Sequence, residues 1–176
     1  GPELVNDLDA LIDTQGEPFG STSIYAQNRV YRLAAENGIK VTLDGQGADE
    51  ILGGYVPFLS ARLATMVRKG EYCRAFKFLN AATATASGRA GVMMRAGRFL
   101  IPPSLQGMAR SIVGEQVMPD WMNKDWLSRH GVIAQAPQKP VAGDVLRNEL
   151  FESMNNRILP GLLRYQDCNS MAHSVE

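Results

Sequence analysis

Three carboxylates, Asp44, Asp49 and Glu50, crowd around two glycines one residue apart, Gly45 and Gly47, with Gln46 between them. Glycines let backbone N–H groups approach an anion closely, and a helix beginning just beyond adds partial positive charge. Bare phosphate would be repelled by the carboxylates. The two features are reconciled if a Mg²⁺ ion, or a cationic or amine-bearing group, sits between loop and phosphate. A Gly-x-Gly taken alone marks a tight loop as often as a ligand site.

The elements around this loop must hold it in place. Ile39, Val41 and Leu43 alternate with Lys40 and Thr42, the pattern of a short strand, and Ala48-Asp49-Glu50-Ile51-Leu52 suits a helix start. Strand, glycine turn and helix N-terminus together place ligands beyond the carboxyl end of an α/β sheet. Upstream, Leu4, Leu8, Leu11 and Ile12 fall at helical spacing. A second helix is expected over 22–36, with Ala26, Val30, Leu33 and Ala34 on one face and Asn37-Gly38 as its stop. That helix and the strand at 39–43 make the second half of a βαβ-like unit.

After Tyr55 the pattern turns helical. Pro57 suits a first helical position, and Leu59, Leu63, Met66 and Val67 form a stripe ending at Gly70. Tyr72, Ala75, Phe76 and Leu79 form a second stripe, Val92, Ala96, Phe99 and Leu100 a third, and Leu105, Met108, Ala109 and Ile112 a shorter fourth. Arg89, Arg95, Arg98 and Arg110 read as solvated faces of these helices. The pattern weakens from 114 to 141, where Trp121 and Trp126 anchor short turns and 136–140 reads as a linker. Leu146, Leu150 and Met154 predict a helix at about 144–155, and the chain turns helical again from about 162. In that last stretch Asp167, Ser170 and Ser174 line one polar edge at i, i+3 and i+7, the usual pattern of a solvent-facing side.

The string Asp44-Gly45-Gln46-Gly47-Ala48-Asp49-Glu50-Ile51-Leu52-Gly53-Gly54-Tyr55 closely resembles the signature of the asparagine synthase family, in its ATP-dependent synthetase domain. A second stretch, Leu162-Leu163-Arg164-Tyr165-Gln166-Asp167-Cys168-Asn169-Ser170-Met171-Ala172-His173-Ser174-Val175-Glu176, resembles another signature of the same family. Members bind ATP in a sheet with helices on both faces. They adenylate a carboxylate, release pyrophosphate, and let an amine attack the acyl-adenylate. The asparagine-making members take that amine as ammonia from an N-terminal glutaminase domain. The resemblance therefore implies an α/β fold, here a mostly helical slice of an adenine-nucleotide alpha-hydrolase-like (ATP pyrophosphatase) domain with one or two parallel strands.

The same resemblance implies roles for individual residues. Asp49 matches the carboxylate that helps hold Mg²⁺ near the phosphates, and Gly45 and Gly47 match the backbone turn beside the reacting acyl group. Glu50 matches the next acidic residue, a support of the loop more than a reacting group. Asp167 and Ser170 match polar positions that close the acceptor side of the cleft. Gln46 stands where asparagine-forming enzymes usually carry glutamate and ring-closing relatives carry tyrosine. A neutral amide can position a group by hydrogen bonding but cannot act as a general base near neutral pH. Asp44 replaces a common serine, and Cys168 a common arginine, which removes a charged fork.

The expected substrates are ATP with Mg²⁺, aspartate or another carboxylate, and ammonia from glutamine, giving asparagine, AMP and pyrophosphate. Residues 1–176 are expected to form part of the synthetase domain, without the family's Ser-Gly-Gly-x-Asp-Ser phosphate loop or the glutaminase domain. The isolated chain is accordingly expected to be inactive. Its strand edge at 39–43 is expected to drive self-association. The alternatives are a paralogue acting on another carboxylate, or a non-enzymatic helical interaction module derived from the family.

Composition sets the remaining bounds. At 45% hydrophobic and 20% charged residues, the 176-residue chain reads as a folded globular domain, not a disordered one. A formal net charge of zero gives no electrostatic case for nucleic acid or an anionic membrane as partner. No apolar run reaches membrane-span length, and Cys73 and Cys168 form no Cys-x-x-Cys, so reduced thiols in the cytoplasm are expected. Neither His130 nor His173 is assigned any chemistry.

Overall fold

The computed structural model describes residues 2–82, 88–102, 105, 122–132 and 143–176. Every regular element among them is helical: α1 (Pro2–Gln15), α2 (Ser23–Glu36), α3 (Ala48–Leu52), α4 (Val56–Arg68), α5 (Tyr72–Ala81), α6 (Gly88–Leu100), α7 (Lys124–Arg129), α8 (Val145–Glu152), a π-turn (Ser153–Arg157) and α9 (Leu159–Ala172). The chain divides into two compact units, residues 55–149 and residues 1–54 with 150–176. Met108, Ala109, Arg110, Ile112, Trp121 and the linker expected at 136–140 lie outside the described residues.

In the unit of residues 55–149, α4 packs against α5 and α6. Ala61, Leu63, Ala64, Met66, Ala75, Val92, Ala96 and Val145 make its core, flanked by Leu59, Val67, Phe78, Leu79 and Phe99. Alanines at 61, 64 and 96 let the helices approach closely. Pro57 lies in the first turn of α4, where its missing N–H leaves no intrahelical bond unmade, and Gly70, at φ 72°, ends the helix beyond Lys69. The stripe expected on α5 is only partly correct, because Tyr72 and Phe76 point to solvent while Ala75 and Phe78 face the core.

The start of α8 is pinned to α4 by Asp144. Its Oδ1 accepts from Arg147 N at 3.2 Å and lies 3.1 Å from Thr65 Oγ1, and its Oδ2 takes the Lys69 ammonium at 3.1 Å. Leu146 N donates to Thr65 Oγ1 at 3.1 Å. Burial pushes the Asp144 pKa up, but the donors Lys69, Arg147 N and Thr65 outweigh it and hold the carboxyl below its usual value.

In the unit of residues 1–54 and 150–176, α9 packs against α1, α2 and the π-turn, and α3 rests on that π-turn. Tyr31, Ala34 and Val175 form a small apolar cluster. The α1–α2 contact is tied by Asp7 Oδ2, which accepts from Tyr25 Oη at 2.9 Å and Arg29 Nη1 at 3.2 Å. The face of α2 turned inward is not the one its apolar spacing predicts. Val30 and Leu33 are exposed, whereas Ile24, Tyr31 and Ala34 are buried, with Gln27 and Asn28 between them at the same helical period. The buried face carries polar groups that hydrogen-bond, so a search for apolar residues alone selects the wrong side.

The strand expected at 39–43 does not form, and no strand is present among the described residues. Glu176 N donates to Lys40 O at 2.8 Å, and Thr42 N donates to Glu176 O at 2.5 Å. These two bonds have the pattern of one rung of a parallel ladder centred on Val41. One rung is too little: a strand needs a partner of several residues to satisfy its backbone. Val41 and Leu43 are consequently exposed, Leu43 completely. The mostly helical character anticipated from sequence is observed; the parallel strands are not.

Candidate functional site

Residues 44–54 form a turn, one short helix and a second turn. Gly47 sits at φ 93° as the residue before α3, a conformation that disfavours any Cβ. Ala48 N donates to Gly45 O at 3.3 Å and Ile51 N to Gly47 O at 3.1 Å, closing the entry to α3. At its far end Gly53 takes φ 74°, and the N–H groups of Gly53 and Gly54 both donate to Asp49 O at 2.9 Å. The five residues of α3 are thus bracketed by left-handed glycines.

Two close approaches fix this segment. A Cβ placed on Gly47 would lie 3.3 Å from Leu159 Cδ2, so the first residue of α9 presses directly on the turn. A Cβ on Gly54 would lie 2.0 Å from Asp49 Oδ1 and 2.9 Å from its Cγ. The Asp49 carboxyl therefore folds back over the space that Gly54 leaves open. Gly45 has no comparable constraint, since nothing lies within 4 Å of a Cβ there.

Asp44, Gln46 and Asp49 are exposed, and Glu50 is not. It is 1% exposed, and neither carboxylate oxygen has a hydrogen-bond partner. The turn thus brings together Gly45, Gln46, Gly47, Asp49 and Glu50, with the acidic side chains split between solvent and interior. As a Mg²⁺ ligand set this is incomplete by itself: among the described residues no group of three or more His, Cys, Asp or Glu converges. Mg²⁺ is ordinarily held by one or two carboxylates together with substrate phosphates and water. An exposed Asp49 held in the Gly54 recess fits that requirement.

The second signature lies on α9, which carries Leu159 at its start. Asp167 is exposed, and its carbonyl accepts from Ser170 Oγ at 3.2 Å, so the Ser170 hydroxyl bonds within its own helix. Ser174 lies beyond the helix end at φ 53° and does not continue the expected polar edge. Among the described residues no hydrogen bond joins Asp167 or Ser170 to residues 44–50.

Asn169, between them, is the residue that sequence reasoning missed. It is 0% exposed and uses its full hydrogen-bonding capacity. Its Oδ1 accepts from Gln15 Nε2 at 2.8 Å and Asn28 Nδ2 at 3.2 Å, and its Nδ2 donates to Ile24 O at 3.1 Å and Gln27 Oε1 at 3.0 Å. Arg164 adds a second tie from α9 to the end of α1, donating to Gln15 O at 2.7 Å and pairing with Glu17 at 2.6 Å. His173 Nε2 lies 3.3 Å from Asn28 Oδ1, and burial, reinforced by the nearby Arg32 charge, holds its pKa below the usual histidine value. The detectable signal was the position of Gln27 and Asn28 within the period of Ile24, Tyr31 and Ala34.

The asparagine synthase family model matches residues 1–176, the whole chain. The chain belongs to the asparagine synthase family, whose members are ATP-dependent, amide-forming synthetases. No curated protein and no solved structure gives a significant match to it.

Proposed function

We propose that this chain is part of the synthetase domain of an ATP-dependent enzyme that activates a carboxylate as its adenylate and transfers ammonia to it. Aspartate is the carboxylate we favour, with ammonia drawn from glutamine by a separate glutaminase domain and asparagine, AMP and pyrophosphate as products. The observation that carries the reading is the Asp49 carboxyl seated over Gly54 beside the Gly47 turn, within a chain matched throughout by the family. Asp49 would supply a ligand to Mg²⁺, which when bound would offset the charge of the phosphates. Gly45 and Gly47 present backbone to the reacting acyl group, and Gln46 positions it through its amide without taking a proton. Asp167 and Ser170 lie on the acceptor side. The reading makes the enzyme a cytoplasmic one that acts on small molecules. No described helix is long and apolar enough to cross a membrane.

The assay is to incubate the protein that carries this chain with ATP, Mg²⁺, glutamine and aspartate, following pyrophosphate and asparagine together. Equal release of both is expected. Pyrophosphate without asparagine would assign a different amine or acceptor, and neither product with any carboxylate would refute the synthetase reading. The 176 residues alone are expected to show no ATP–pyrophosphate exchange.

The parallel rung between Glu176 and residues 40–42 supports a second element of the proposal, that 39–43 becomes a strand in a larger parallel sheet. Left unpaired, its edge and the exposed Ile39, Val41 and Leu43 drive self-association of the isolated chain. A concentration series by analytical ultracentrifugation checks this, and a strictly monomeric chain would contradict it.

A further inference from the structure

The chain's zero net charge is the average of two opposite parts. Residues 55–149 carry 13 Arg and Lys against 6 Asp and Glu, whereas residues 1–54 with 150–176 carry 5 against 12. The excess of cations is densest over 56–100, the span of α4, α5 and α6. There, six Arg and two Lys stand against one acidic side chain, Glu71. Arg68, Lys69, Arg74, Lys77, Arg89 and Arg98 are exposed. Glu71 takes Arg74 at 2.9 Å and Asp144 takes Lys69 at 3.1 Å, both at the surface, where such pairs are weak. The Arg68 guanidinium donates to the Phe99 carbonyl, a neutral acceptor that leaves its charge uncancelled.

Two aromatic rings stand among these cations. Tyr72 and Phe76, 68% and 66% exposed, lie at i and i+4 on the outer side of α5, with Lys77 adjoining. The core is met from the opposite side by Ala75, Phe78 and Leu79. Both α5 and α6 pack on α4 and touch each other, so the rings and the basic residues belong to one surface of this unit.

We propose that α5, with the basic residues of α4 and α6 beside it, forms a surface that binds single-stranded RNA. Phosphates engage the cations while bases stack on Tyr72 and Phe76. The predominance of Arg over Lys suits this partner, because the planar guanidinium forks onto phosphate and stacks on aromatic faces. A duplex fits less well, since its bases are already stacked on one another. A bilayer also fits less well. A helix lying in one turns its apolar stripe to the lipid, and on α5 the stripe of Ala75, Phe78 and Leu79 is turned to the core. On the outer side the rings are interleaved with Cys73 and Lys77. The surface lies within residues 55–149 and the glycine turn in the other unit, so the inference does not rest on the synthetase reading.

Binding of the 176-residue chain is followed by fluorescence anisotropy with a labelled oligouridylate of about 20 nucleotides, long enough for both rings and the flanking cations. Labelled polyphosphate of similar length is the base-free probe. Affinity for the RNA is expected to fall about 50-fold between about 50 and about 200 mM KCl, the slope for about four phosphates on a single strand. Phe76→Leu keeps the apolar bulk and removes the ring. It should weaken RNA binding at least about fivefold and leave polyphosphate binding unchanged. Lys77→Glu should weaken binding of both probes. Phe76 and Lys77 are exposed, so neither change is expected to disturb folding, which circular dichroism checks. Tyr72→Leu serves in place of a Phe76 variant that does not fold. Absence of RNA binding at the lower salt, or RNA binding indifferent to both ring removals, would overturn the proposal. So would tighter binding to phosphatidylserine vesicles than to the RNA, which would make the surface a membrane-facing one.

Discussion

Gln15 Nε2 donates to Asn169 Oδ1 at 2.8 Å, joining α1 to α9 through two enclosed side chains. Asn28, Gln27 and Ile24 O complete the set, so α9 is fixed against α1 and α2 by bonds that no rotation about the helix axis would preserve. Asn169→Ala leaves several buried donors and acceptors unmet, each costing about 1–3 kcal/mol. A loss on the order of 3 kcal/mol is expected in urea unfolding, and Asn169→Asp should be no milder. Its carboxylate would face Gln27 Oε1 and Ile24 O, two acceptors.

Because Leu159 begins the same helix and presses on Gly47, the Gly47 turn is sensitive to a side chain of its own. Gly47→Ala forces an L residue to φ 93° and a Cβ to 3.3 Å from Leu159. The backbone conformation alone should cost about 1–2 kcal/mol. Leu159→Ala in the same chain relieves the contact but not the backbone strain, so only part of the loss should be recovered in denaturation curves.

Gly54→Ala acts differently. Its Cβ takes the space of Asp49 Oδ1, and the flexible carboxyl must swing out. Stability should change by about 1 kcal/mol or less, as is usual when an exposed side chain can move aside. Mg²⁺-dependent nucleotide binding in the protein carrying this chain should weaken on the order of tenfold or more, as when a metal ligand loses its support. Titration calorimetry with and without Mg²⁺ separates the two effects, and Asp49→Asn should mimic the binding defect.

His173 gives this unit a pH dependence on the acid side of neutrality. Its folded pKa is depressed, by burial first and the Arg32 charge second, so the unfolded chain binds the proton more readily. Stability from this group is therefore complete above the ordinary histidine pKa of about 6.5 and is lost as pH falls from there through the folded value. Glu36, also nearby, opposes the shift without reversing it. His173→Gln, which keeps a donor for Asn28 Oδ1, should flatten the stability profile between about pH 5 and 7 in urea titrations.

In the other unit, Asp144 caps α8 and holds Thr65 and Lys69. Asp144→Ala should cost about 1–2 kcal/mol, the usual price of a lost N-cap. Lys69→Met should cost less, because the Lys69 side chain is half exposed and such pairs contribute about 1 kcal/mol at most. Comparing the two by denaturation shows how much of Asp144's contribution is capping.

The sequence by itself determined the family, the position of the glycine turn, and most helices among the described residues. Local signals suffice for these: Pro57 near a helix start, Gly70 at φ 72° as a stop, and Val92 with Ala96 at helical spacing on a buried side. Tertiary structure alone decided which face of α2 turns inward, since Ile24 O, Gln27 and Asn28 meet Asn169 while Tyr31 packs on Val175, partners that the apolar spacing of α2 does not select. It decided, too, that 39–43 remains a single rung, because a strand's free energy resides in its partner and alternation cannot supply one. The split of the acidic cluster, Asp49 outward over Gly54 and Glu50 inward, has the same origin. Adjacent residues on a helix point in different directions, and only the packing of α3 on the π-turn determines which of those directions is solvent.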